Sequence, residues 1–403
     1  FVLVYLACIA FIGVPILVAE WMIGRRGQKN PINTMAQVAR DNGHSTNWAV
    51  VGAIGVLAAF LILSFYSVIG GWALAYMRDA ATGAFIGLDK AAIGGAFEGF
   101  LARPAELLTW HSIFMLLTVV VVALGVSAGL ERGTKLMMPA LGLILIVLVG
   151  YGMTTGSFGQ GLAYLFNPDW SKLDGKVLLA ALGHAFFTLS LGMGIMMAYG
   201  SYLGQEVNLL RAARTVVIMD TVFALCAGMA IFPIVFANGL DPAAGPGLVF
   251  VTLPLAFGHM GGGLVIGALF FLLLTFAALT SSISLLEPVV ELIEERTPLG
   301  RVAATLIAGI TIWALGIAAL LSFNVWSDVK LLGMNIFDLL DYATSKFMLP
   351  LAGLGAIVFA AWKLDQQGVK AELGLGDATF GLWTLLSRYV APVGVLFVFW
   401  SNL

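Results

Sequence analysis

Long apolar runs separated by short polar stretches fill the chain from its first residue. A helix that crosses a bilayer needs roughly 20 apolar residues in a row, and by that rule the pattern predicts about ten spans. They lie near 1–23, 48–77, 110–128, 134–153, 177–202, 214–237, 262–289, 302–322, 336–362 and 383–402. Apolar and polar residues do not alternate within them, so a membrane β-barrel is not expected. The larger outer loops fall at 78–109, 154–176 and 238–261. The last carries the turn-forming run Asp241-Pro-Ala-Ala-Gly-Pro-Gly247, then a short apolar segment that reads as a re-entrant helix. No linker of disordered composition intervenes, so residues 1–403 form one transmembrane domain of an all-α membrane protein.

Two spans contain polar groups that a plain lipid-facing helix would not need. In Gly183-His-Ala-Phe-Phe-Thr-Leu-Ser-Leu-Gly-Met-Gly194, two glycines sit mid-span, where helix propensity is poor. Thr188 and Ser190 precede them. A helix break here frees backbone groups at membrane depth, which is tolerated only around a water- or ligand-filled cavity. Close helix packing through small residues is the alternative. In the second span, Ala277, Thr280 and Ser281 share one helical face. A carbonyl and two hydroxyls there are hard oxygen donors for a small cation, unless the hydroxyls only bond back to their own helix.

Composition excludes much else. Hydrophobic residues make up 60% of the chain and charged residues 10%, more apolar surface than a soluble fold can hide. A net charge of −2 gives no reason to expect nucleic acid. Cys8 and Cys226 lie in apolar runs and say nothing of disulfides. His44, His111, His184 and His259 are scattered, without metal-ligand or nucleophile spacing, so an enzyme is the least favoured class. If the first span runs inward to Arg25 and Arg26, alternating spans place about 13 Lys and Arg residues in the cytoplasm against about 6 outside.

Acidic residues inside spans are costly and usually functional. Glu20, Asp220, Asp338 and Asp341 are the candidates. Glu20 precedes Arg25 and Arg26 closely enough for a structural ion pair, and Asp338 and Asp341 could mark a solvated helix start. Lys346 could balance a nearby acid.

Several blocks, in order, resemble the neurotransmitter:sodium symporter family in its bacterial branch. They are Pro15-Ile-Leu-Val-Ala-Glu-Trp-Met-Ile-Gly24, Ser64-Phe-Tyr-Ser-Val-Ile-Gly-Gly-Trp72, the block from Phe186 to Gly194, and Tyr199-Gly-Ser-Tyr202. Gly245-Pro-Gly-Leu-Val-Phe250 and Leu279-Thr-Ser-Ser-Ile-Ser-Leu-Leu-Glu-Pro288 follow. The resemblance implies the inverted-repeat sodium symporter fold with discontinuous helices. It also implies sodium-coupled symport of amino acids, of apolar and medium to large kind, in the inner (cytoplasmic) membrane. Its partners are then Na+, an amino acid and the lipid bilayer.

By matched position, Tyr66 would meet the substrate carboxylate, and Ile62, Phe187, Ser190, Met193 and Leu285 would line the pocket. Thr188 and Asp220 would belong to a first sodium site, and Ala277, Thr280 and Ser281 to a second. A one-residue slip in the alignment would put Met219 in the place of Asp220. Asp341 matches an outer gate. Tyr5, His184, Thr188, Asp220 and Ala224 match the positions that hold chloride in chloride-dependent members, with the Asp220 carboxylate standing for the anion. Gly129 and Pro139 resemble a family spacing that lets a helix end unwind, or else are a cap and a helix-start proline. The chain is expected to begin at the family's second helix, without the first. Two alternatives follow: a proton-coupled transporter, with the proton on Asp220 or Glu20, and a non-transporting sensor or inactive fragment.

Overall fold

The computed structural model describes residues 1–126, 131–240 and 247–401. Gly129 and the turn at 241–246 therefore lie outside the described residues. Among those described, nine helices are long and apolar enough to cross a membrane. In chain order the helices are α1 (Val2–Gly27), α2 (Pro31–Asp41), α3 (Ala49–Ala81), α4 (Lys90–Leu101) and α5 (Pro104–Ala123). Next come α6 (Arg132–Thr154), α7 (Phe158–Phe166), α8 (Gly175–Thr188), α9 (Ile195–Ser201), α10 (Leu209–Ala237) and α11 (Leu253–His259). The last are α12 (Gly263–Arg296), α13 (Arg301–Leu321), α14 (Ile336–Trp362), α15 (Gln366–Leu373) and α16 (Asp377–Phe397).

The expected span at 177–202 is not one helix. It is the pair α8 and α9 with an irregular segment between them. The apolar segment after Gly247 is helical, as the re-entrant reading requires. Two boundaries are corrected. The span placed at 110–128 is the helix Pro104–Ala123, because Pro104 suits a first turn and the polar Glu106, Thr109 and His111 are carried inside the helix. The loop at 78–109 correspondingly contains α4, capped by the Asp89 carboxylate on the Ala92 N–H. Pro139 is not at a helix start but within α6.

Four widened π turns that lie wholly within the described residues have a shared cause in the sequence. They cover Ile9–Gly13, Leu248–Thr252, Ala343–Met348 and Leu386–Val390. Each is followed two residues on by a proline: Pro15, Pro254, Pro350 and Pro392. Proline cannot donate to the helix ladder and its ring crowds the carbonyl a turn back. Widening the preceding turn relieves that crowding without ending the span. Pro233 and Pro288 sit in helices with no such turn, so proline permits the widening rather than dictating it.

The inner bundle is built from α1, α3, α12, α13 and α14, whereas only 6% of the apolar window of α10 is buried. Helices α1 and α9 touch backbone to backbone. A Cβ on Gly24 would lie 2.0 Å from the Met197 carbonyl oxygen, and one on Gly200 would lie 2.5 Å from that of Trp21. Without a hydrophobic force between helices in lipid, such small-residue contacts are a main source of association. At the C-terminal end of α1 Arg25, 2% exposed, pairs with Glu372 on α15 and donates to the Val207 carbonyl. Arg26 meets the same carboxylate at 2.7 Å.

Candidate functional site

The break between α8 and α9 follows from its residues. Helix α8 stops at Thr188, and Ser190, Gly192 and Gly194 all take positive φ, at 54°, 73° and 71°. Only glycine adopts that region without steric cost, so Ser190 is a strained position held by its surroundings. A Cβ at Gly192 would lie 2.2 Å from the Leu349 carbonyl oxygen, so α14 leaves no room for a side chain. The unwound backbone needs a partner, and Glu20 supplies it. This wholly buried carboxylate accepts the Gly192 N–H at 2.8 Å. The ion pair of Glu20 with Arg25 or Arg26, one reading left open by the sequence, is not formed. Both arginines belong to Glu372, and Glu20 faces the freed amide instead.

Next to the break lies a cross-helix polar cluster. Thr188 Oγ1 donates to Asp220 Oδ1 at 2.7 Å and the Tyr5 hydroxyl donates to Asp220 Oδ2 at 3.2 Å. The His184 ring sits 4.9 Å from that of Tyr5, centroid to centroid, and Phe1 closes a triangle of rings, 6.3 Å from Tyr5 and 6.2 Å from His184. Helices α1, α8 and α10 thus meet on one carboxylate, which satisfies a charge that would otherwise be expensive at this depth. Ala224, one turn beyond Asp220, is exposed and brings no side-chain polar atom. Met219, the residue that a one-residue slip would substitute, is 48% exposed and apolar.

The second polar cluster stays on its own helix at Thr280 and reaches α3 at Ser281. Thr280 Oγ1 donates to the Ala277 carbonyl oxygen at 2.9 Å, while Ser281, exposed, lies within hydrogen-bonding reach of Tyr66. Of the apolar pocket candidates, Ile62, Met193 and Leu285 are buried, and Phe187 is 37% exposed at the end of α8. The groove formed by Met77, Arg78, Leu264, Val265 and Leu272, on α3 and α12, contains none of these residues.

Asp341 is exposed and accepts from Ser345 Oγ at 2.8 Å. Asp338 and Lys346 are exposed too, and the Asp338 amide is capped by Asn335. Asp338 is thus a helix-start residue.

One group went unread in the sequence. Glu287, Glu291 and Glu295 follow one another at i, i+4 along the C-terminal end of α12. That spacing puts all three on one face of an apolar helix, and it was available as a signal. Among the described residues no three His, Cys, Asp or Glu side chains converge as a metal site.

The family described as the Sodium:neurotransmitter symporter family matches residues 103–403. A sodium-dependent transporter of Bacillus subtilis, YhdH, is 38% identical over 403 residues, covering 99% of this chain and 88% of its own length. One from Haemophilus influenzae is 33% identical over 410 residues, covering 99% and 90%. The crystal structure of MhsT in complex with L-phenylalanine superposes with a TM-score of 0.91 at 45% identity, covering 100% of this chain and 91% of that one. These similarities do not confirm that a first helix is missing.

Proposed function

This chain belongs to the sodium:neurotransmitter symporter family, whose members are transporters and not enzymes, and we propose that it carries apolar amino acids across the cytoplasmic membrane together with Na+. The observation that carries this reading is the unwound segment after Thr188, braced by Glu20 and adjoining the Asp220 cluster. Backbone freed at membrane depth offers oriented N–H and C=O groups to a zwitterion, and the carboxylate beside it offers charge to a cation. MhsT, which has the same fold, is described in complex with L-phenylalanine, and this supports an amino-acid substrate here.

In this reading the Tyr66 hydroxyl meets the substrate carboxylate, while Ile62, Phe187, Ser190, Met193 and Leu285 surround its side chain. None of these offers a counter-charge, so apolar side chains are favoured, and the flexible Met193 admits several. Thr188 and Asp220 serve the first ion, and Ala277, Thr280 and Ser281 the second. Asp341 belongs to the outer gate. Coupling arises because closure around the site requires ion and substrate together.

The test is uptake of radiolabelled L-phenylalanine and L-leucine into proteoliposomes. Uptake is expected with an inward sodium gradient and not with potassium in its place. Uptake driven by a proton gradient in the absence of sodium would overturn the sodium reading.

A further inference from the structure

Between Thr280 and the cytoplasmic end of α12 runs a track of side-chain oxygens on the face that α9 covers. Its members are Thr280, Ser284, Glu287, Glu291 and Glu295, spaced by three or four residues so that each stands one turn below the last. From Thr280 to Glu291 the rise is about 16 Å, the depth from mid-membrane toward the inner interface. Helix α9 and the residue after it latch this track. The Tyr199 hydroxyl donates to Ser284 Oγ at 2.6 Å, and the Tyr202 hydroxyl donates to Glu287 Oε1 at 2.7 Å.

The acids along the track are not equivalent. Glu287 is paired with Arg301, which also reaches Glu294. Glu295 is taken up by the Asn30 amide and side chain and by Asn33. Glu291 is 8% exposed and receives only the Ser201 hydroxyl, at 3.2 Å on Oε1, while its Oε2 is buried without a hydrogen-bond partner. Glu287 and Glu295 repel its charge and Arg301 offsets them only in part, so the buried carboxylate is costly unless it takes up a cation or a proton.

We propose that Glu291 is a waypoint for Na+ released from the second ion site toward the cytoplasm, a binding position distinct from that site. The proposal rests on assigning the second site to Thr280 and Ser281. The ion leaves those hydroxyls when α9 swings and Tyr199 lets go of Ser284. It then passes down the track to the free oxygen of Glu291, with Ser201 Oγ as a further donor, and exits past Glu295. A single carboxylate with one hydroxyl is a weak position, as a passage must be if the ion is to depart.

The test compares the unmutated protein with E291Q and E291D in proteoliposomes, using L-phenylalanine and sodium as probes. E291Q is expected to keep sodium-dependent equilibrium binding within about twofold, which also reports folding, yet to slow net uptake about tenfold. Exchange with high sodium on both sides, where the ion need not leave, is expected to stay near the unmutated rate, and E291D to recover most net uptake. Unmutated net uptake in E291Q, or equal slowing of uptake and exchange, overturns the proposal. So does uptake that tracks internal pH rather than internal sodium and loses that dependence in E291Q, since Glu291 then holds a proton. Absence of any sodium-dependent binding in the unmutated protein is the separate failure of the transport reading itself.

Discussion

The two candidate ion clusters solve the same problem in opposite ways. Around Asp220 the donors come from α1 and α8, and the cluster is complete without any ion, with bonds of 2.7 and 3.2 Å. At Ala277, Thr280 and Ser281 every group is neutral and the one bond between them stays within α12. A carboxylate at membrane depth must be met by other helices, so its partners are fixed by the fold. Hydroxyls can satisfy themselves on their own backbone, and so need nothing until an ion draws them away. In the proposed reading the first cluster therefore joins structure and binding, while the second contributes chiefly to binding.

Asp220→Ala tests that difference most severely. It leaves the Tyr5 and Thr188 hydroxyls without their acceptor, at about 1–3 kcal/mol each where buried. Uptake is expected to fall about a hundredfold, with a lowered melting temperature as the structural share of the loss. Uptake lost with an unchanged melting temperature would show that the cluster only binds. The double variant Thr280→Ala, Ser281→Ala is expected to weaken sodium affinity beyond tenfold, at about 1.4 kcal/mol per factor of ten, with melting in sodium-free buffer unaltered. Sodium titration of L-phenylalanine binding checks it, and an unchanged midpoint would mean that these hydroxyls serve only their own helix.

How far each feature could be read ahead depends on how local its cause is. The break after Thr188 was legible because Gly192 and Gly194 carry their own conformational preference. The prolines that widen four turns are local signals of the same kind, though Pro233 and Pro288 show that they do not decide alone. The partner of Glu20 was out of reach because Gly192 is 172 residues away, while two candidate arginines were near in sequence. Those arginines were claimed by Glu372, which is 347 residues from Arg25. Periodicity reports which face of a helix is apolar but not which helix covers it, so the latches of Tyr199 and Tyr202 on α12 were out of reach.

A gentler change sharpens the same comparison at its edge. His184 is exposed and touches the first cluster through the Tyr5 ring rather than through the carboxylate bonds. His184→Gln removes a ring contact worth about 0.5–1.5 kcal/mol but leaves both bonds to Asp220 in place. Uptake is expected to stay within about threefold of the unmutated protein. Histidine is the side chain that titrates between about pH 5 and 8, so any mild pH dependence of uptake in that range is expected to flatten in the variant. Retention of the full dependence would move its source away from His184.

The smallest expected effect is no effect, on replacing chloride by gluconate. The positions that would hold chloride are Tyr5, His184, Thr188, Asp220 and Ala224. Here Tyr5 and Thr188 already spend their hydroxyl protons on the two oxygens of Asp220. An anion at this place would have to take those donors from a carboxylate and then sit beside its charge. Both steps are unfavourable in a medium of low dielectric. In the proposed reading the carboxylate thus supplies, as a fixed part of the chain, the negative charge that balances the first sodium ion. Asp220→Asn keeps the shape and loses the charge, so in gluconate it is expected to impair turnover more than in chloride, where an anion can approach. Initial rates of sodium-driven L-phenylalanine uptake in the two salts, for both proteins, decide the matter. A strict chloride requirement in the unmutated protein would refute the charge assignment and, with it, the placing of Asp220 at the first ion.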